Sequence, residues 1–373
     1  MTPSHLARGV RPFLVSLALL TLTLPSAAQQ EHRYLYVAVP GIENDTGHHG
    51  VGIVVFDIDH EHKFVRRIPI WPAGGEAESV RGIAAAPSGF PGGRLYVSTT
   101  RRLGAIDLAT ERVVWENNYG GHCCDRMAVS PDGRTIYAPA FGNPVWYVIE
   151  AASGAASSTV RVVGWPRNTV YAHNGSLAYL SAWESPVLSV LDPRSHAIAK
   201  EVGPFSGFLC PFTINGKETL AFANVDGLVG FEVGDLHTGL ILDRVAVGDY
   251  APEEIAQYEC PSHGIALTPD ERELWVADGV GNRLRIFDST TYPPVAKAAI
   301  DLSRQPRWIT FSIDGHYAYS STGDVVDVGS KKTVAKLSDE DGGVVESEKM
   351  LEVDFAAGKP VRAGEQTATG AKR

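Results

Sequence analysis

The sequence has no excess of positive charge. Its 33 lysines and arginines face 43 aspartates and glutamates, a formal net charge of −10. Tracking nucleic acid requires a broad basic face to neutralise phosphates, so no nucleic-acid partner is expected, although a local basic site stays open. No apolar run after residue 28 is long enough to cross a bilayer, which takes about 20 residues. The mature chain is therefore expected to hold no integral membrane segment. Convincing amphipathic helical periodicity is missing, as is the Cys-x-x-Cys-His spacing of haem attachment. Cysteines are few: Cys123, Cys124, Cys210 and Cys260. They allow three pairings, which the sequence does not rank. A Cys123–Cys124 bond would force an unusual local backbone and is not assumed.

What is present begins with an export signal. Arg8 and Arg11 make a positive leader, Phe13 to Leu24 a short apolar run, and Ser26-Ala27-Ala28 puts small residues at the −3 and −1 positions of a cleavage site. Residues 1–28 read as a signal peptide cleaved near Ala28, which places the mature protein in the periplasm or outside the cell. There the cysteines can form disulfides.

A turn signal then recurs along the chain. It reads Ala86-Pro87-Ser88-Gly89, Ser130-Pro131-Asp132-Gly133, Ala172-His173-Asn174-Gly175, Thr213-Ile214-Asn215-Gly216, Thr268-Pro269-Asp270-Glu271 and Ser312-Ile313-Asp314-Gly315. The second residues fall at 87, 131, 173, 214, 269 and 313, so the steps are 44, 42, 41, 55 and 44. A period in the low forties is the length of a four-stranded propeller blade. Aromatic and β-branched strands follow each turn, as in Leu95-Tyr96-Val97, Ile136-Tyr137-Ala138 and Leu274-Trp275-Val276. The N-terminal segment supplies strands two to four of a further blade but no strand one. Met350 to Phe355, followed by Gly358-Lys359, supplies the missing strand. Pairing the two termini in one blade would close the ring without free sheet edges. The expected fold is therefore all-β, a seven-bladed β-propeller over residues 29–362, with a flexible tail over 363–373. A monomer is expected.

Ser-Pro-Asp-Gly followed by Ile-Tyr-Ala, and Thr-Pro-Asp-Glu followed by Leu-Trp-Val, resemble the YVTN-repeat β-propeller family of exported bacterial proteins. The resemblance covers nearly the whole mature chain. It implies the fold; because that family is a scaffold for many activities, it does not assign one. Two departures stand out: Phe208 to Phe212 replaces the usual approach to the turn in blade five, and the 55-residue step marks an insertion near Asp249 to Tyr258.

Strand one of each blade lines the central channel. Six residues before each marker stand Arg81, Asp125, Arg167, Phe208, His263 and Arg307, with Met350 in the same register on the C-terminal strand. Equal register in a rotational repeat means equal height, so three arginines, a histidine and an aspartate should ring one channel mouth. Loops on the same face bring Arg101 and Arg102, Glu184, His122 and Cys123, and a long blade-one loop with Asn44, Asp45, His48 and His49. The insertion, with Tyr250, Glu253, Glu254 and Tyr258, could cover that face as a lid.

Residue types alone leave several readings open. Arginine suits carboxylate or phosphate because its planar fork binds both oxygens, so Arg81, Arg167, Arg307 and Arg101, with Asp125 and Glu184, make a binding site for an anionic small molecule or glycan, or for an envelope protein. In a purely structural alternative, Arg81 and Arg167 pair with Asp125. An enzyme on acidic carbohydrate, of the uronic-acid lyase type, would use Arg167 or Arg307 to neutralise the carboxylate, His263 or His122 as base, and Tyr258 or Tyr250 as acid. Lactone hydrolysis would instead need a metal-bound water. Copper or zinc could be held by His48, His49, His122 and His263, with Cys123 or Cys260. Calcium at Asp57-Ile58-Asp59 competes with a plain turn reading, which fits those residues better.

Overall fold

The computed structural model describes residues 1–2, 31–40, 51–70, 78–121, 123–248, 250–367 and 369–370. The candidate signal peptide, the blade-one loop with His48 and His49, and His122 lie outside these residues.

The chain forms seven antiparallel sheets arranged as a seven-bladed β-propeller. Blade one joins the chain ends. Its inner strand is Met350–Ala356, followed outward by Glu31–Val39, Gly52–Asp57 and Lys63–Ile68. Leu35 pairs with Glu352 and Val37 with Met350, which fixes the closure register. Blades two to seven follow in chain order, each a four-stranded sheet with its first strand innermost. These inner strands are Val80–Ala86, Ala128–Val129, Trp165–Tyr171, Leu209–Ile214, Ser262–Leu267 and Ile309–Phe311.

Strand periodicity explains the ring. Successive side chains point to opposite sheet faces, and each blade is covered on both faces by its neighbours. Tyr36 and Ala38 pack toward blade two, whereas Leu35, Val37 and Val39 pack toward blade seven. The strand consequently reads as an unbroken apolar run rather than an alternation. Leu274 and Val276 likewise face blade five while Trp275 and Ala277 face blade seven. The seven apolar clusters each lie between two adjacent blades, and the one between blades seven and one closes the circle.

The recurring turn has a local cause. The Ser130 hydroxyl donates to Asp132 and accepts from the Thr135 amide, while Gly133 takes φ 72°, a conformation glycine adopts at little cost. Thr268 with Asp270, and Ser312 with Asp314, repeat the hydroxyl–carboxylate bond. Asp57 is likewise spent on a turn, accepting from the amides of Asp59 and His60.

Past blade one the C-terminus does not run free. Lys359–Ala363 adds a fifth strand to the axis side of Met350–Ala356. The following residues, expected as a flexible tail, enter the channel. Gln366 accepts from the Ile83 amide, its carbonyl accepts from the Trp308 indole, and Thr310 donates to the Glu365 carbonyl. His173 Nε2 donates to the Gly370 carbonyl, and Gln366 and Thr369 are buried. These contacts tie the segment to blades two, four and seven at the turn end of the inner strands. No helix among the described residues is long and apolar enough to cross a membrane.

Candidate functional site

At the opposite end of the axis the inner strands open on a cavity of about 360 Å³. Its wall brings together four residues placed by register, Arg81, Arg167, His263 and Arg307, with Tyr258 from the insertion. Arg126, Glu348 and Lys349 complete it, none of which the register count picks out.

β-Bulges aim several of these side chains. Pairing on the inner strand of blade two jumps from Val80 to Gly82, leaving Arg81 as the extra residue. Blade four skips from Pro166 to Asn168 across Arg167, and blade six from Ser262 to Ile265 across His263. A bulge turns its residue out of the alternating pattern, so residues that would otherwise face a neighbouring blade face the axis. Glycine follows two of them because the next blade's backbone comes close. A Cβ on Gly264 would sit 2.8 Å from the Trp308 Cα, and one on Gly82 would sit 3.1 Å from the Arg126 Cα.

Two buried carboxylates organise the cations. Asp125, expected on the ring, lies behind the wall with no exposed surface. It accepts from Arg126 at 3.2 Å and Arg167 at 3.3 Å. Glu348 accepts from Arg126 and Arg307, each at 2.7 Å, and from Lys349. Arg126 thus forks between both acids. Three guanidinium groups also lie over aromatic rings: Arg81 over Phe141, Arg126 over Trp308 and Arg167 over Trp183, at 4.6, 4.8 and 4.9 Å. Stacking and bonding together fix their planes.

The electrostatics follow from this packing. Burial pushes the Glu348 carboxyl up, but Lys349, His263, Arg126 and Arg307 outweigh it and hold it well below the usual range. Asp125 behaves alike: burial raises it, while Arg126, Arg167, Arg81 and Lys349 bring it lower. Burial pulls Lys349 down to about 8 against the pull of Glu348. Burial also pushes His263 down to about 3, with Glu348 opposing and Arg126 and Arg307 reinforcing. A neutral imidazole carries one proton, and His263 Nδ1 stands 2.9 Å from the Arg307 carbonyl, which can only accept. Nδ1 therefore donates, leaving Nε2 as the unprotonated nitrogen.

Only the end of the insertion borders this face, and Glu253 and Glu254 are not on the cavity wall. The insertion's single helical turn, Pro252–Ile255, leads into Gln257, Tyr258, Glu259 and Cys260 on the cavity wall. Cys260 is disulfide-bonded to Cys210 on the inner strand of blade five, which ties the lid to the ring. Tyr250 is not in the cavity: its hydroxyl donates to Asp278 and accepts from Arg285.

Several expected residues fall elsewhere. Met350 is buried between blades seven and one, and Phe208 is exposed outside the cavity wall. Arg101 sits on the exposed turn after Arg94–Thr99, and Glu184 on the exposed turn after Ala178–Trp183; neither lines the cavity. Cys123 is bonded to Cys124, so the reading of Cys123 as a metal ligand is corrected: a disulfide sulfur has no thiolate to offer. Cys260 is removed as a ligand for the same reason. Among the described residues, no three His, Cys, Asp or Glu side chains converge in a metal-holding group.

No family model and no curated protein matches the chain.

Proposed function

We propose that this is an exported β-propeller, of the YVTN-repeat kind its turns resemble, which binds a carboxylate- or phosphate-bearing ligand in the cavity at the channel mouth. One observation carries the reading. Among the described residues, Arg81, Arg126, Arg167, Arg307 and Lys349 line the cavity, with Glu259 and Glu348 on its wall and Asp125 behind it, in a chain whose net charge is −10. The two buried acids hold Arg126, Arg167, Arg307 and Lys349 in place. Arg167 uses one of its five N–H donors on Asp125, and that bond is long at 3.3 Å. Pairing of all four cysteines supports an oxidising compartment.

Calorimetric titration with glucuronate, inorganic phosphate and neutral glucose tests it. The expected result is saturable binding of an anion at or below about millimolar concentration, at least about tenfold weaker in Arg167→Ala, with no response to glucose. If no anion binds, or if glucose binds equally well, the reading falls.

The His263 tautomer favours a second reading, eliminative cleavage of an acidic carbohydrate. An arginine would neutralise the sugar carboxylate, His263 Nε2 would take the proton beside it, and Tyr258 would protonate the leaving oxygen. Release of an unsaturated, ultraviolet-absorbing product by the wild type and not by His263→Gln would support it. No product from any uronate polymer would reject it.

A further inference from the structure

Outside the cavity, on the same face, lies an apolar surface that the anion reading does not use. Trp165 is 45% exposed, Phe208 42% and Val163 73%. Isolated exposed apolar residues are ordinary, whereas contiguous ones beside a polar pocket mark binding surfaces. Trp165 and Phe208 adjoin the site. Trp165 is directly opposite Trp183 in the antiparallel pairing of blade four, so both indoles share one sheet face. Trp183 lines the cavity and holds the Arg167 guanidinium against its ring. The Leu209 amide donates to the Ser185 carbonyl, which brings Phe208 beside the turn that follows Trp183. An aromatic path therefore leads outward from Arg167 over blades four and five.

The charge beside this path has the other sign. Glu184, exposed, occupies the turn next to Trp183, and Glu259 stands on the lid. A strand of nucleic acid would bring a phosphate with every unit and meet those carboxylates. A ligand anionic at one unit and uncharged at the next meets arginine first and then indole. A pyranose ring fits the second position: its C–H face is apolar and lies well against the electron-rich face of an indole, and its hydroxyls can donate to Glu184.

Resting on the anion reading of the cavity, we infer that the natural ligand is an acidic oligosaccharide. Its carboxylated unit sits among Arg81, Arg167 and Arg307, and a neighbouring neutral sugar stacks on Trp165 and Trp183, with Phe208 at the margin. Glu184, outside the cavity, becomes a hydroxyl acceptor in this outer position.

Titration of the full mature chain with glucuronate, a glucuronate-containing disaccharide, its reduced neutral counterpart and a nucleoside monophosphate tests the inference. The wild type, Trp165→Ala, Phe208→Ala and Arg167→Ala are compared. Both aromatic substitutions are at exposed positions and should leave the fold intact, which circular dichroism checks. The acidic disaccharide should bind about tenfold more tightly than glucuronate. Trp165→Ala should remove that gain while leaving glucuronate unchanged, and Arg167→Ala should weaken both. Equal affinity for glucuronate and the disaccharide overturns the stacking position but leaves the anion site standing. No binding of either acid removes the anion reading itself. Tighter binding of the nucleotide than of the disaccharide, or disaccharide affinity unchanged in Trp165→Ala, also overturns the inference.

Discussion

Replacing Glu348 by glutamine probes the site at its centre. The side chain keeps its size and loses the charge on which Arg126, Arg307 and Lys349 converge. Lys349 is only 3% exposed, and its ammonium would lose the carboxylate it is bonded to. Breaking a buried pair from one side costs about 3–5 kcal/mol. The lower end applies because Arg126 retains Asp125 and Arg307 keeps partial access to water, so the expected loss is about 3 kcal/mol. For a cooperative unit of about 340 residues the unfolding entropy is near 0.7 kcal/mol/K, and the midpoint should fall by about 4 °C. Thermal unfolding at neutral pH measures it. The pH dependence supplies an internal control. The folded state holds the Glu348 carboxyl well below its ordinary value of 4.5. Its contribution is therefore fully present above that value and lost as pH falls through the depressed one. The gap between wild type and variant should accordingly narrow in acid. A midpoint within about 1 °C of wild type, or a gap that widens in acid, would refute the description of Glu348 as the hub of the cations.

Three further outcomes follow from the same structure. Replacing Cys210 and Cys260 by serine opens a loop with a sequence separation of 50; chain entropy puts the loss at about 4 kcal/mol, read as a lower denaturant midpoint with faster proteolysis within 251–258. His263 resists protonation down to about 3, whereas an unfolded histidine takes its proton near 6.5, so this residue should cost stability progressively as pH falls between those values; His263→Gln should flatten that slope in urea midpoints, and an unchanged slope would count against a half-buried neutral imidazole. Ending the chain after Ala363 strips acceptors from the Ile83 amide, the Trp308 indole and the Thr310 hydroxyl; with water replacing part of the loss, a decrease of about 3 kcal/mol is expected in calorimetry, and wild-type stability in the shortened chain would show the channel segment to be passive.

The blade count was legible in the sequence because each turn depends on local chemistry: Ser130 to Gly133 and Ser312 to Gly315 carry a hydroxyl, a carboxylate and a glycine within four residues, and the other four turns keep part of that set. The shared strand register was legible too, and it placed Arg81, Arg167, His263 and Arg307 on one cavity wall. It failed where the strands stop being equivalent. In blade three the inner strand shrinks to Ala128–Val129, so the counted Asp125 turns inward and Arg126 reaches the cavity. On the C-terminal strand the counted Met350 is core, and the working residues, Glu348 and Lys349, precede the strand. The Glu-Lys pair just ahead of an apolar strand was the available signal. The Phe208 position departs because the blade-five bulge spans Cys210 and Pro211, and the disulfide there fixes the lid. Cys123 and Cys124 show the opposite limit: nothing in their spacing favours a bond between neighbours. The tail was read as mobile from its polarity, yet its backbone donors and acceptors serve inner-strand groups that no sequence pattern could pair with it.

Closing blade one with both ends of the chain also sets an order of events. Glu348 and Lys349 directly precede Met350–Ala356, which must find Glu31–Val39 across some 300 residues. Contacts of such separation carry a large loop-closure cost and form slowly. A nascent or prematurely ended chain would thus hold six blades and the arginines of the earlier strands, but neither the hub carboxylate nor a closed wall. The assembled cavity wall is therefore a consequence of ring closure, complete only once Met350–Ala356 has paired with Glu31–Val39.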